Sequence, residues 1–297
     1  MADRALLKSV NDKMGEVDMS SNNQNDSRPT VTLSRRELVS GLASGSVVAF
    51  MGGGLGACTT NEALGRSQFL LVSDEQLAQL SQQSWTQALQ QTPQTSDPAL
   101  RRRVAGVGDR IVQAADRRFP SQRLSQNNWE FAVFEDSTVN AWVMPGGKVG
   151  FHTGILDIME NDDQIATVMG HEAGHVVGRH SAERYSQQLA AGAVTNVANV
   201  ALAGSNIENS AMIAGILGAG VTFGFILPYS RKHEYEADRL GTDFMVGANY
   251  QPNEAVRFWD TMTQSSGQRP LEFMSTHPSD QNRITEMQSY ISNQGYV

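Results

Sequence analysis

The stretch Val168-Met169-Gly170-His171-Glu172-Ala173-Gly174-His175-Val176-Val177 predicts a helix that carries the pattern H-E-x-x-H. At about 3.6 residues per turn, His171 and His175 leave the same face of that helix, so both imidazoles can bind one metal ion, for which zinc is the first choice. Glu172 lies one step round the helix, where it is poorly placed as a third ligand but well placed to accept a proton from water at the metal. The pattern therefore predicts a hydrolytic metal centre.

The neighbours of this pattern favour a buried site over an inert surface helix. The apolar ones are Ile165, Val168, Met169, Val176 and Val177. Burying two histidines and a carboxylate among them would be unfavourable without a partner such as a metal ion. Gly170, Gly174 and Gly178 recur every four residues, although each glycine costs about 1 kcal/mol of helix propensity relative to alanine. We therefore expect a second element to pack closely against these glycines.

The composition describes a globular chain. Its 297 residues are 40% hydrophobic and 18% charged, which allows one large domain or two small ones. A net charge of -8 and a pI near 5.3 exclude nucleic acid as an expected partner, because no basic face is available to bind phosphates. The single cysteine, Cys58, excludes a disulfide within the chain.

The N-terminal region, residues 1–57, has the features of an export signal behind a disordered extension. Residues 1–33 are polar and lack apolar periodicity. The segment Ser34-Arg35-Arg36-Glu37-Leu38 resembles a twin-arginine signal, and an uncharged, glycine-rich run follows it. Leu55-Gly56-Ala57-Cys58 resembles a lipobox, which predicts a secreted lipoprotein with a lipid on Cys58. The alternative is an uncleaved anchor, for which an apolar run of 17 residues is marginal.

Residues 58–98 are predicted to contain a short linker, up to about Arg66, and a first helix over residues 73–91 with Ser73 or Asp74 as its cap. A second amphipathic helix is predicted over residues 99–118, where the main domain, residues 99–297, begins.

Three short strands are predicted before the metal helix, at residues 129–134, 139–144 and 148–152, because the apolar period there changes to two. Their turns favour an antiparallel meander. His152 lacks ligand spacing to the helix and is expected to be structural. The metal helix itself is predicted to begin at Asn161 or Asp162 and to run to about residue 191. The predicted class is therefore α+β, mainly helical with a small antiparallel sheet next to the metal helix.

Residues 190–227 are the least charged part of the chain after the predicted export signal, with Glu208 as their one ionisable residue. Residues 211–227 are apolar apart from Thr222, which predicts a buried or membrane-contacting helical arm, with a membrane span as the alternative. The tail is predicted to form two helices, residues 253–265 and 279–292, around a loop at residues 274–278.

The third metal ligand is expected in the segment His233-Glu234-Tyr235-Glu236-Ala237-Asp238. Glu234 and Asp238 are four residues apart on a predicted helix, so one carboxylate can bind metal while the other orients a ligating imidazole. Two histidines and one glutamate leave a fourth position for water, as catalytic zinc requires. His180 follows His175 by five positions, points to another face and is not expected to be a ligand.

At this point the chain resembles the M48 metallopeptidases, in which H-E-x-x-H is followed by E-x-x-x-D, and in particular their small periplasmic lipoprotein members. The other matching segments are Val139-Asn140-Ala141, Met144-Pro145-Gly146-Gly147-Lys148, Thr153-Gly154-Ile155-Leu156, Leu227-Pro228-Tyr229-Ser230-Arg231, and Thr276-His277-Pro278 with Arg283.

The resemblance implies a zincin-like fold in which one zinc ion per chain is bound by His171, His175 and Glu234. Glu172 is then the catalytic base, and Asp238 supports a ligand. Glu236 competes for the place of third ligand, but the E-x-x-x-D frame selects Glu234 instead. His233 and Glu236 are expected at the surface.

The resemblance also implies where substrate binds. The strand with Val139, Asn140, Ala141 and Trp142 is expected to be a sheet edge that pairs with extended substrate backbone. The implied activity is that of a zinc endopeptidase that degrades misfolded or misassembled envelope proteins. The expected location is the periplasmic side of a membrane, with the outer membrane favoured over the inner one.

The donor that stabilises the developing oxyanion has three candidates, His277, Arg283 and Tyr229. His277 has two further possibilities, since it could be a lid ligand that occupies the water position or an ordinary solvated histidine. A rival from another class is a membrane-tethered chaperone or binding protein with a non-catalytic metal site. The intact Glu172 argues against that rival, because a structural site needs no base.

Overall fold

The computed structural model describes residues 58–122, 124, 127–190, 229–265, 272–278 and 281–296. The predicted disordered extension and export signal, and the apolar segment 211–227, lie outside these ranges. Cys58, the predicted lipidation site, is the first described residue and is exposed. Within these ranges, no helix combines the length and the hydropathy that crossing a bilayer requires.

The chain enters the described region through a β-hairpin. Strands β1 (Cys58–Asn61) and β2 (Arg66–Phe69) pair in antiparallel fashion. The prediction of a linker up to about Arg66 was therefore wrong. Two tertiary hydrogen bonds stabilise the hairpin: Asn61 Nδ2 donates to the carbonyl of Val177 at 3.0 Å, and Gln68 Nε2 donates to that of Gly178 at 2.7 Å. The local sequence of the hairpin does not reveal these contacts, because their partners lie far along the chain.

Two helices follow, close to their predicted bounds. Helix α1 (Asp74–Gln91) begins with a capping box in which Ser73 and Gln76 bond each other's backbone N–H groups. Helix α2 (Pro98–Arg118) has Asp97 as its N-cap, and the carboxylate of Asp97 accepts from two backbone N–H groups. The apolar face of α2 is buried in the main core, which confirms its predicted amphipathic character.

The sheet beside the metal helix differs from the predicted meander. Strands β3 (Glu130–Phe134), β4 (Ala141–Met144) and β5 (Lys148–His152) lie in the order β3–β5–β4. Only β4 and β5 are antiparallel, whereas β3 runs parallel to β5. The carbonyl of Asp136 accepts from Gly154 N at 2.8 Å and Thr153 Oγ1 at 2.9 Å. The chain after β3 therefore crosses the end of β5, which leaves β4 at the sheet edge.

The short helix α3 (Thr153–Leu156) leads to the metal helix α4 (Asp162–Val177), whose N-cap is Asn161. The predicted end at about residue 191 was wrong. Gly178 caps α4, and Arg179 has a left-handed φ of 53°, after which a separate helix α5 covers at least residues 180–190. The hairpin bonds to the carbonyls of Val177 and Gly178 stabilise this break.

Helix α6 (Arg231–Gly247) is the close neighbour that the glycines of α4 predicted. A Cβ atom on Gly174 would lie 2.6 Å from the carbonyl oxygen of Ala237, and one on Gly170 would lie 2.9 Å from that of Gly241. Gly178 differs, because a Cβ there would meet the ring of His180. The contact places the ligand-bearing segments of α4 and α6 side by side.

The tail contains three described helices, α7 (Asn253–Ser265), α8 (Glu272–Thr276) and α9 (Gln281–Gln294). The predicted loop at residues 274–278 is therefore partly helical, since α8 covers its first half. The α+β class is confirmed, with helices α2, α4, α6, α7 and α9 and the small sheet sharing one core.

Candidate metal centre

Four buried side chains, from helices α4 and α6 and from the residue that follows α8, converge on one point. His171, His175, Glu234 and His277 each offer a ligand atom, and these atoms all lie within 4.8 Å of one another. His171 Nε2 is 3.1 Å from His175 Nε2 and 3.1 Å from His277 Nδ1. Glu234 approaches each of the first two imidazoles at 3.4 Å. The structure thus brings together the three predicted ligands and the lid candidate.

The spacing of residues on α4 and the close contact between α4 and α6 explain this convergence. His171 and His175 face one way because they are one turn apart on α4, and the glycine contact brings Glu234 on α6 up to them. His277 is carried by α8, where its N–H donates to the carbonyl of Phe273 at 2.9 Å and its ring stacks on the Phe273 ring with centroids 4.5 Å apart.

The protonation pattern of the cluster fits a cation. His171 Nδ1 lies 2.9 Å from Asp238 Oδ1, so the proton of this neutral ring belongs on Nδ1 and leaves Nε2 bare toward the cluster. Bare imidazole nitrogens beside the Glu234 carboxylate would repel one another in a buried space. A divalent metal ion removes that repulsion, and two or three imidazoles with one carboxylate are a suitable ligand set for it.

Arg283 binds the carboxylates of Glu234 and Asp238 inside the protein. Its Nη2 donates to Asp238 Oδ1 at 2.7 Å and its Nη1 lies 2.8 Å from Glu234 Oε2. Arg283 is 2% exposed, and its guanidinium packs over the Trp259 ring. Burial alone would raise the pKa of Asp238, but Arg283 holds that pKa below its usual value. The expectation that Arg283 could act as an oxyanion donor at the cleft therefore gives way to a positioning role.

Glu172 faces an open cleft of about 380 Å³ rather than the core. Burial raises the pKa of its carboxyl to about 7, against the opposing effect of His277. Its Oε1 accepts no hydrogen bond from the residues that the structure describes, and His277 Nε2 is 3.4 Å away. A carboxylate in this setting is suited to accept a proton near neutral pH.

The cleft lies between α1, the edge strand β4 and the residues around the cluster. Asn140 and Trp142 line it, whereas Val139 and Ala141 are 1% and 0% exposed and belong to the core. Of the four residues predicted to bind substrate, two therefore line the cleft, and Val139 and Asn140 precede β4 rather than belong to it. His152 also lines it, 3.7 Å from Asp136, with its pKa lowered by burial.

Tyr229 is the second predicted donor that lines the cleft. Its ring stacks on His175 with centroids 3.9 Å apart, and its hydroxyl is 3.0 Å from Ser181 Oγ. Burial raises the pKa of the phenol, so it stays protonated and able to donate.

Two residues expected at the surface lie inside the protein. His233 is 5% exposed, and burial lowers its pKa to about 4. Glu236 is half-buried; burial alone would raise its pKa, but Arg66 and His180 lower it to about 2. Both residues belong to a polar network behind His175 that sequence reasoning missed, because its members are isolated polar residues without a shared spacing.

The comparisons with known proteins agree with this geometry. The sequence model of Peptidase family M48 matches residues 98–291. The chain is 38% identical over 170 residues to the mitochondrial metalloendopeptidase OMA1 of Schizosaccharomyces pombe, which covers 57% of this chain and 48% of that protein. It is 32% identical over 239 residues to the OMA1 of Saccharomyces cerevisiae, covering 76% of this chain and 67% of that protein.

A bacterial relative is more distant. The beta-barrel assembly-enhancing protease of Escherichia coli K12 is 27% identical over 200 residues, covering 65% of this chain and 39% of that protein. The chain therefore spans between about two fifths and two thirds of the length of these three relatives.

Proposed function

The chain belongs to peptidase family M48, and we propose that it is a zinc-dependent endopeptidase. The observation that carries the proposal is the position of Glu172. This carboxylate adjoins a buried cluster of metal-ligand type, faces the cleft and has an oxygen that is free of hydrogen bonds from the described residues. A structural metal site would need neither the cleft nor such a base.

In this proposal His171, His175 and Glu234 hold the zinc. When bound, zinc supplies a Lewis acid that polarises a carbonyl and lowers the pKa of water. Glu172 takes the proton of the attacking water on its carboxylate and later delivers it to the leaving amine. Tyr229 is suited to donate its hydroxyl proton to the carbonyl oxygen as charge develops there, because it lines the cleft and remains protonated.

The proposed substrates are unfolded or misassembled polypeptides of the cell envelope. The position of β4 at the edge of the described three-stranded sheet supports this, because backbone pairing at an edge binds an extended chain with little demand on its sequence. The proposed location is the periplasmic side of a membrane, through a lipid on Cys58. The exposure of Cys58 at the start of β1 is compatible with such a tether.

The test is cleavage of an unfolded protein such as casein by the purified full chain, with metal content measured in parallel. We expect about one zinc per chain, cleavage that a chelator abolishes, and recovery of cleavage when zinc is restored. A protein that binds zinc and prevents aggregation of unfolded clients without cutting them would instead be a membrane-tethered chaperone. A protein that cleaves equally well without metal would contradict the proposed chemistry.

A further inference from the structure

Resting on the proposed function, we infer that Arg66, Glu236 and His180 form a hydrogen-bond relay that fixes the tautomer and orientation of the metal ligand His175. Arg66 belongs to the N-terminal hairpin, which lies before residues 98–291 that the family model matches. The hairpin thereby becomes part of the metal centre. All three are positioning residues, since each acts through His175.

The relay is continuous from the ligand to the hairpin. His175 Nδ1 lies 2.9 Å from His180 Nδ1, and His180 Nε2 lies 3.1 Å from Glu236 Oε2. Arg66 then donates to both oxygens of Glu236, from Nε to Oε1 and from Nη2 to Oε2, each at 2.7 Å. His175 and His180 are 1% and 0% exposed, so both rings are shielded from bulk solvent.

The acceptor role of Glu236 determines which ring nitrogen carries the proton in His180 and in His175. Both oxygens of Glu236 accept from the Arg66 guanidinium, so this carboxylate is the acceptor in its contact with His180, which donates from Nε2. A neutral imidazole carries one proton, which leaves His180 Nδ1 bare. That bare nitrogen accepts from His175 Nδ1, and His175 Nε2 is then bare and directed at the cluster, as a ligand must be.

Arg66 is itself held rigidly on its other side. It forms two parallel bonds with Glu183 of α5, at 2.9 and 2.8 Å, and Gln68 donates to the same carboxylate at 2.7 Å. A guanidinium clamped between two carboxylates loses little further freedom when it orients Glu236. Arg283 and Asp238 orient the other histidine ligand, His171, in the same manner. That chain from arginine to ligand has one hydrogen-bonded step fewer than the relay.

The first experiment measures zinc retention by chelator competition on the full chain. Arg66→Ala should weaken retention by about tenfold or more, the range found when outer partners of a ligand are lost. The matched control is Arg103→Ala, which removes an arginine–aspartate pair between α2 and the first turn of α4 that does not touch the relay. Equal retention in the wild type and Arg66→Ala would overturn the relay.

A pair of variants at His180 separates the relay from simple packing. A glutamine offers an oxygen that can accept from His175 and an amide that can donate to Glu236, whereas a leucine of comparable size offers neither. His180→Leu should lose about tenfold or more in retention, and His180→Gln should recover most of it. Equal losses in the two folded variants would mean that the ring only fills space.

The tautomers supply a readout that is independent of activity. In the zinc-loaded chain, nitrogen-15 spectra of labelled histidine should show His180 protonated at Nε2 and His175 protonated at Nδ1. In Arg66→Ala, His180 should no longer show a single tautomer. A proton on His180 Nδ1 in the wild type would reverse the relay and refute it. The proposed function fails separately: a wild type that binds zinc through this relay without cleaving peptides contradicts the peptidase but not the relay.

Discussion

Arg283 and Asp238 form a bidentate pair inside the protein, with Nε 2.5 Å from Oδ2 and Nη2 2.7 Å from Oδ1. Asp238 in turn meets the ligand His171 at 2.9 Å. The pair joins α9, the last described helix, to the metal helix through α6. The C-terminal helix therefore contributes to the orientation of a ligand more than 100 residues earlier in the chain.

Removing Arg283 should destabilise the protein strongly. Arg283→Ala leaves Asp238 and Glu234 buried without their cation, and breaking a buried ion pair of this kind costs about 3–5 kcal/mol of unfolding free energy. Arg239→Ala is the matched control, because its pair with Glu286 joins the same two helices at the surface and is worth about 0–1 kcal/mol. Chemical denaturation of both variants gives the comparison; similar losses would refute the structural role of the buried pair.

Glu172→Gln should abolish peptide hydrolysis while zinc stays bound. The amide preserves the shape of the side chain but cannot accept the proton, and general bases typically contribute about 10²–10⁴ in rate. Turnover of an unfolded substrate and zinc content are measured on the same preparation. Turnover equal to that of the wild type would exclude Glu172 as the base.

Glu234→Gln should weaken zinc retention far more than Glu236→Gln. The first change alters a group inside the ligand cluster, whereas the second retains an amide oxygen that can still accept from His180. Chelator competition on the two variants distinguishes them. Equal zinc loss would show that the third ligand is assigned wrongly.

Local spacing accounts for what the sequence could predict. His171, His175 and the pair Glu234 and Asp238 lie one helical turn apart, so their shared faces follow from helix geometry alone. The caps of α1 and α4 are local in the same sense. The glycines of α4 signalled a close neighbour without identifying it, and α6 proved to be that neighbour.

The features that could not be predicted from the sequence depend on contacts between residues far apart in the chain. The parallel pairing of β3 with β5 depends on the path of the chain at Asp136 across the end of β5, which turn composition did not reveal. The end of α4 at Val177 depends on the hairpin residues Asn61 and Gln68, which are more than 100 residues away. Arg66 lacked any signal, because a lone arginine in a polar segment normally lies in solvent.

Cys58→Ser should release the protein from membranes. If a lipid on this sulfur is the anchor, a serine cannot carry it, and the described helices include none that could span a bilayer. Membrane and soluble fractions are compared after a high-salt wash, with Thr60→Ser as the control two residues along β1. A Cys58→Ser protein that still sediments would indicate that residues 211–227 or an uncleaved signal hold it.

His277→Ala should raise basal proteolysis and weaken zinc retention modestly. His277 Nδ1 lies 3.1 Å from His171 Nε2 and 3.2 Å from Glu234 Oε1, within the ligand cluster rather than at its edge. A side chain in this position competes with water for the metal, so its removal should open the site. Phe273→Leu is the control, because it removes the ring that stacks on His277 and keeps the imidazole.

Three outcomes distinguish the roles of His277. A faster rate with weaker zinc binding supports a lid ligand, and Phe273→Leu should then show a smaller change in the same direction. A loss of rate on the order of 100-fold with zinc unaffected would instead identify His277 as the oxyanion donor and refute the lid. Unchanged rate and zinc content would contradict both roles, and the donor would then be Tyr229, which lines the same cleft.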